Sequence, residues 1–187
     1  MGFILAILGG IVVLVGLIIS LYNRLVALRQ TVNQAWSDIE VQLKQRQDLI
    51  PQLVNTVKGY AKHEKETLNE VILARNSAVA ASSPNTQAMA EGMLSQALGK
   101  LFALAEDYPD LKANENFLQL QDELGDVEDK IAAARRFYNN SVQEYNTARE
   151  QFPSNIVAGS FNFEAREFFE AIEGREALET PVEVDFS

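Results

Sequence analysis

Residues Phe117 to Phe152 read FLQLQDELGDVEDKIAAARRFYNNSVQEYNTAREQF. Large apolar or aromatic side chains return at every seventh position: Phe117, Leu124, Ile131, Tyr138, Tyr145 and Phe152. Leu120, Val127, Ala134, Ser141 and Ala148 fall between them. Alternating steps of three and four predict one long helix with an a/d seam of the coiled-coil type. Asn114 is placed to cap its start, and Pro153 to stop it. A seam this long needs partner helices, and the preceding sequence supplies them.

Working towards the N-terminus, Pro84 to Glu106 predicts a second helix, with Met89, Met93, Leu94, Ala97, Leu98, Leu101 and Leu104 on its apolar side. Ser83 is its cap, with Pro84 at the first helical position. Asp107-Tyr108-Pro109-Asp110 breaks it. Upstream, Leu25, Leu28, Val32, Ala35, Trp36, Ile39 and Leu43, then Ile50, Val54, Val57 and Ala61, form one stripe. Its continuity predicts a helix that bends at Pro51, passes the weaker break of Gly59 and reaches Ala81.

That helix begins in an apolar run. Phe3 to Tyr22 is twenty residues without a charge, interrupted only by Gly9, Gly10, Gly16 and Ser20. A helix of that length spans roughly 30 Å, the thickness of a bilayer's hydrocarbon core. It shows no polar face, no basic residue before the run and no small-x-small cleavage site, so an uncleaved anchor is expected rather than a signal peptide. Arg24 and Arg29 follow the run and are the sole charges in the first 37 residues. The positive-inside rule then puts the N-terminus outside and the bulk of the chain in the cytoplasm.

Downstream of Pro153, Ser154–Ser160 reads as a loop. A short amphipathic helix is expected after it, with Phe161, Ala165, Phe168, Phe169 and Ile172 on one face and glutamates stepping by three on another. The last residues, rich in acid, have little to bury and read as disordered. The expected fold is therefore all-α: a transmembrane helix at 1–22, continuous with an elongated antiparallel helical bundle at 23–174, and an acidic tail at 175–187. The bundle has three long helices and one short C-terminal helix.

Several consecutive-residue blocks resemble the LemA family. They are Tyr22-Asn23-Arg24-Leu25-Val26, Ala35-Trp36-Ser37-Asp38-Ile39-Glu40-Val41-Gln42-Leu43-Lys44, Asp48-Leu49-Ile50-Pro51 and Thr56-Val57-Lys58-Gly59-Tyr60. Ala74-Arg75, Tyr108-Pro109-Asp110-Leu111-Lys112-Ala113, Phe117-Leu118-Gln119-Leu120-Gln121, Ala134-Arg135, Phe137-Tyr138-Asn139 and Tyr145-Asn146 extend the likeness to about Phe169. Gln45 departs from it, standing where a second basic residue is expected. The resemblance implies a single-pass bacterial membrane protein with an antiparallel helical bundle and no established enzymatic activity. It also suggests company with a membrane-embedded zinc metalloprotease.

The residues themselves carry little chemistry. The formal charge of −10 argues against nucleic acid as a partner. With no cysteine, disulfides and thiolate metal sites are excluded. The single histidine, His63, has Thr67 where a zinc protease helix needs a second histidine. Di-metal carboxylate bundles need two Glu-x-x-His motifs, which one histidine does not allow. No catalytic residue, metal ligand, cofactor or small-molecule substrate is expected.

Interaction surfaces are the better candidates. Gly2, Ala6, Gly9, Gly16 and Ser20 fall on one face of the membrane helix, where small residues allow close helix–helix approach and self-association. Trp36, Arg46, Asp48 and Pro51 are candidates for partner docking, since Trp and Arg favour interface hot spots. Packing within the chain is the competing role for Trp36. Phe161, Phe168, Phe169 and Ile172 are candidates for contact between chains, or else close the chain's own bundle. Two functions follow: a self-associating membrane scaffold or adaptor of the bacterial cell (inner) membrane, or a regulatory or substrate-presenting partner of a membrane protease.

Overall fold

The computed structural model describes residues 1–170, and these contain six helices and no strand. They are α1 (Gly2–Tyr60), α2 (Lys65–Ala80), α3 (Pro84–Ala105), α4 (Pro109–Lys112), α5 (Glu115–Glu150) and α6 (Ser154–Ser160). Ile172 and the tail at 175–187 lie outside the described residues. The chain divides into two compact units. One comprises Met1–Ile39 with Ala134–Glu167; the other comprises Glu40–Ala133 with the residues from Phe168 on.

In the first unit, the apolar run forms the start of α1, and none of its most apolar window is buried in the chain. Exposed apolar surface on that scale excludes a core helix and fits a helix in lipid. Past Tyr22 the same helix turns amphipathic, burying Leu25, Val32, Ala35 and Ile39. The C-terminal part of α5 packs antiparallel to it. The Trp36 and Tyr138 rings lie 5.4 Å apart, while Arg24 shares a groove with Glu144, Thr147, Ala148 and Gln151.

After α6, Asn162 takes φ 53°, a left-handed conformation that Asn tolerates better than most residues. The chain then runs back without regular structure from Phe163 to Glu167. The expected amphipathic helix over this stretch is absent, and the expected loop at Ser154–Ser160 is helical instead. The reason lies in α5. The Tyr145 and Tyr138 hydroxyls donate to the carbonyls of Glu164 and Glu167, each at 2.8 Å. Asn146 donates to the Arg166 carbonyl and accepts from the Arg166 N–H, both at 2.9 Å. Side chains remote in sequence thus satisfy backbone groups that a helix would have used.

In the second unit, α1 ends at Tyr60 and does not reach Ala81. Residues 61–64 form a turn, and α2 starts at Lys65. The apolar stripe resumes across the turn with Leu68, Val71, Ala74 and Ala78 buried. Pro51 sits inside α1 without ending it. α2 packs on α3, and Ser83 and Thr86 form a reciprocal capping box at the α3 start. Asn114 caps α5, its side-chain oxygen accepting from the Phe117 N–H at 3.0 Å.

The seam on α5 is buried at Phe117, Leu120, Leu124, Val127, Ile131, Tyr138, Ser141, Tyr145 and Ala148. Its expected last member, Phe152, is 80% exposed, because α5 ends at Glu150. Met89 and Met93, expected on the apolar side of α3, face outward instead, one turn apart.

Candidate functional site

Arg46 lies within the apolar stripe of α1, three residues after Leu43 and four before Ile50, so the helix carries it into the core. It is only 2% exposed. One guanidinium nitrogen reaches Glu91 Oε2 at 2.8 Å. The other reaches Ser95 Oγ at 2.8 Å and Glu128 Oε2 at 2.7 Å. α1, α3 and α5 are therefore tied together at one cation. Glu91 is held from its other oxygen by Gln87, whose amide also donates to the carbonyl of Ala78 at the end of α2. Beside it, Arg75 of α2 donates to the Gln47 carbonyl at 2.8 Å.

Burial pushes the Glu91 carboxyl above the ordinary carboxylate value, against the pull of Arg46 and of the hydrogen bonds from Arg46 and Gln87. Desolvation outweighs pairing at this position. Arg46 was expected on a docking surface; the structure places it inside, and its charge is used by the fold. Asp48 is exposed and pairs with Lys44 on the same helix, and Pro51 is exposed as well. Trp36, half-buried, belongs to the other unit and packs beside Tyr138. Of the three candidates in one unit, Asp48 and Pro51 are exposed and Arg46 is not.

What lies next to Arg46 is an open groove of about 390 Å³ between α3 and α5. Leu98, Phe102 and Leu124 give it apolar walls, Gly99 and Gly125 give it depth, and Ser95, Gln121 and Glu128 give it polar edges. A Cβ added at Gly99 or Gly125 would meet nothing within 4 Å. Packing among the described residues does not require either glycine.

The other candidates divide. Gly2, Ala6, Gly9, Gly16 and Ser20 are exposed along α1, and a Cβ at Gly2, Gly9 or Gly16 would meet nothing within 4 Å. Arg29 stacks over the Phe163 ring at 5.1 Å from its centroid. Phe161 is exposed and meets Tyr22 edge-on. Phe168 is half-buried and Phe169 is buried, so Phe169 is closed to another chain. His63 is exposed in the α1–α2 turn. Among the described residues, no three His, Cys, Asp or Glu side chains gather to hold a metal.

Glu91, Ser95 and the groove glycines were missed in the sequence. The signal was present for Glu91: it sits three residues before Leu94 and three after Ala88, on the apolar side of α3. An acid in that register, with an arginine in the α1 register, marks a buried pair.

The sequence profile of the LemA family matches residues 35–186. The magnetosome protein MamQ of Magnetospirillum gryphiswaldense is 26% identical, covering 86% of this chain and 68% of its own length. The magnetosome protein MamQ 2 of Paramagnetospirillum magneticum is 24% identical, covering 92% of this chain and 72% of its own. Protein LemA of Metamycoplasma hominis is 28% identical, covering 81% and 69%.

Proposed function

The chain belongs to the LemA family and is membrane-associated, and on that footing we propose that it is a non-enzymatic, membrane-anchored scaffold that docks a segment of a partner protein. The observation that carries this is the groove between α3 and α5. Apolar walls with polar edges suit an amphipathic segment laid into a groove. Gly99 and Gly125 keep it open although glycine costs about 1 kcal/mol relative to alanine inside a helix. The relatives' names fit the reading, since the magnetosome proteins are named for an assembly and not for a reaction.

The test uses the full chain in cells, with a photo-crosslinking amino acid replacing Phe102. The scaffold reading expects a discrete protein adduct that Gly99→Leu and Gly125→Leu abolish while the helix content is kept. No protein adduct, or one indifferent to both variants, overturns it. If the adduct is a membrane protease and the purified chain stays small, the chain is a regulatory or substrate-presenting subunit.

Self-association through the membrane helix is part of the same proposal. Gly9 and Gly16 share a face with Gly2, Ala6 and Ser20, and among the described residues nothing lies within 4 Å of a Cβ added at either. Gly9→Ile with Gly16→Ile reduces the mass of the detergent-solubilised particle in light scattering; an unchanged mass removes this element. Arg24 and Arg29, which follow the apolar run, support a placement in the bacterial inner membrane with the N-terminus outside. A reporter fused after Ser187 that works only outside the cytoplasm reverses that orientation.

A further inference from the structure

The junction from α5 to α6 points back at the membrane. Along α1, going from Trp36 to Arg24 approaches the apolar run; along the antiparallel α5, the matching path goes from Tyr138 to Ala148. Phe152 lies four residues farther on, level with the last turn of the apolar run. Tyr22, which closes that run, holds the Phe161 ring at 4.9 Å and the Phe163 ring at 5.5 Å. Both ends of the α6 segment are therefore at the level where the apolar run ends.

The surface of this corner is apolar. Phe152 is 80% exposed, Ile156 61% and Phe161 55%. Between Glu150 and Glu164 the chain has no Asp, Glu, Lys or Arg, although 22% of the whole sequence is charged. A water-facing corner of this protein would be expected to carry charge. An interfacial corner carries aromatic rings, small polar groups and no charge, because it sits where headgroups meet acyl chains.

We propose that the α5–α6 corner is a second membrane contact, with Phe152, Ile156 and Phe161 seated in the headgroup–acyl boundary beside Tyr22. The occupant is lipid rather than a second copy of the chain. Three side chains fall well short of the roughly 800 Å² per partner that a stable protein interface buries. The corner is also continuous with the exposed apolar run of α1. The bilayer thus holds the chain at two places, which fixes the rotation of α1 about its own axis.

The chain has one tryptophan and no cysteine, so single probes can be introduced cleanly. In a Trp36→Phe background, Phe152→Trp is reconstituted as full chain into phosphatidylcholine vesicles carrying doxyl lipids. The expected result is blue-shifted emission, quenched by doxyl groups near the headgroup, less by those near the chain end, and little by aqueous acrylamide. Quenching by acrylamide with none by lipid overturns the proposal. A nitroxide on Ile156→Cys gives the same decision independently, since lipid contact makes oxygen a better relaxant than a water-soluble nickel chelate. Signals that vanish when the protein is diluted in excess lipid belong to a contact between copies and also overturn it. The proposal rests on the apolar run lying in the bilayer, and Leu14→Trp separates the two. Deep quenching at Leu14→Trp with none at Phe152→Trp sinks the corner alone, while none at either position sinks the span as well.

Discussion

The two units are locked by different chemistry. In the unit containing Glu40–Ala133, a buried guanidinium joins three helices through two carboxylates and a hydroxyl. In the unit containing Met1–Ile39, neutral groups do the same work: two tyrosine hydroxyls and an asparagine amide hold an irregular segment by its backbone. An ionic lock is strong only while every partner is present, because a charge left alone in the core is costly. A neutral lock fails more gently. The contrast predicts how each unit breaks.

The largest effect is expected at Arg46. Arg46→Met leaves Glu91 buried without its cation and should cost about 3–5 kcal/mol, read as a lower midpoint in denaturant followed by circular dichroism. Adding Glu91→Leu to it should restore much of the loss, since an apolar pair of similar volume often matches a buried ion pair. A double variant no better than the single would mean that the network matters for more than its internal balance. The same network responds to pH. The folded-state pKa of Glu91 lies above its ordinary value of 4.5, so the folded state binds the proton more tightly than the unfolded chain. The stability of the wild type relative to Glu91→Gln should therefore be greatest below 4.5 and fall as pH rises through the raised value.

Smaller effects belong to the neutral lock. Tyr145→Phe and Tyr138→Phe each remove one donor to a carbonyl and should cost about 0.5–1.5 kcal/mol, independent of ionic strength. Burial pushes the Tyr138 hydroxyl up, so it stays a donor well into the alkaline range. The smallest effect is the exposed Lys100–Glu70 pair between α3 and α2. Lys100→Ala should cost under about 1 kcal/mol and lose even that in high salt. A salt-sensitive Arg46 midpoint, or a salt-sensitive Tyr145 one, would blur the distinction between the units.

Much of this was legible in the sequence. The heptad spacing of α5, the Ser83-Pro84 start of α3, the Asn114 cap and the apolar run are local signals, and the structure follows them. The α1–α2 break was not legible, because the stripe keeps its register across it and Glu64 makes no side-chain cap. The irregular stretch after Asn162 was not legible either. Its aromatic spacing suits a helix, but the groups that hold it open lie 19 to 29 residues away on α5. Arg46 and Glu91 were legible in register alone. Each reads as a surface charge until the stripe on either side of it is extended through its position.

The ring pair Trp36–Tyr138 also makes the protein its own optical gauge. Excitation at Tyr138 can pass to the one tryptophan across 5.4 Å, so emission from Trp36 reports the integrity of a single unit. The helical circular dichroism signal, in contrast, averages over both. A denaturant titration followed both ways will show either one superimposed transition or two, and so whether the chain unfolds cooperatively or in parts.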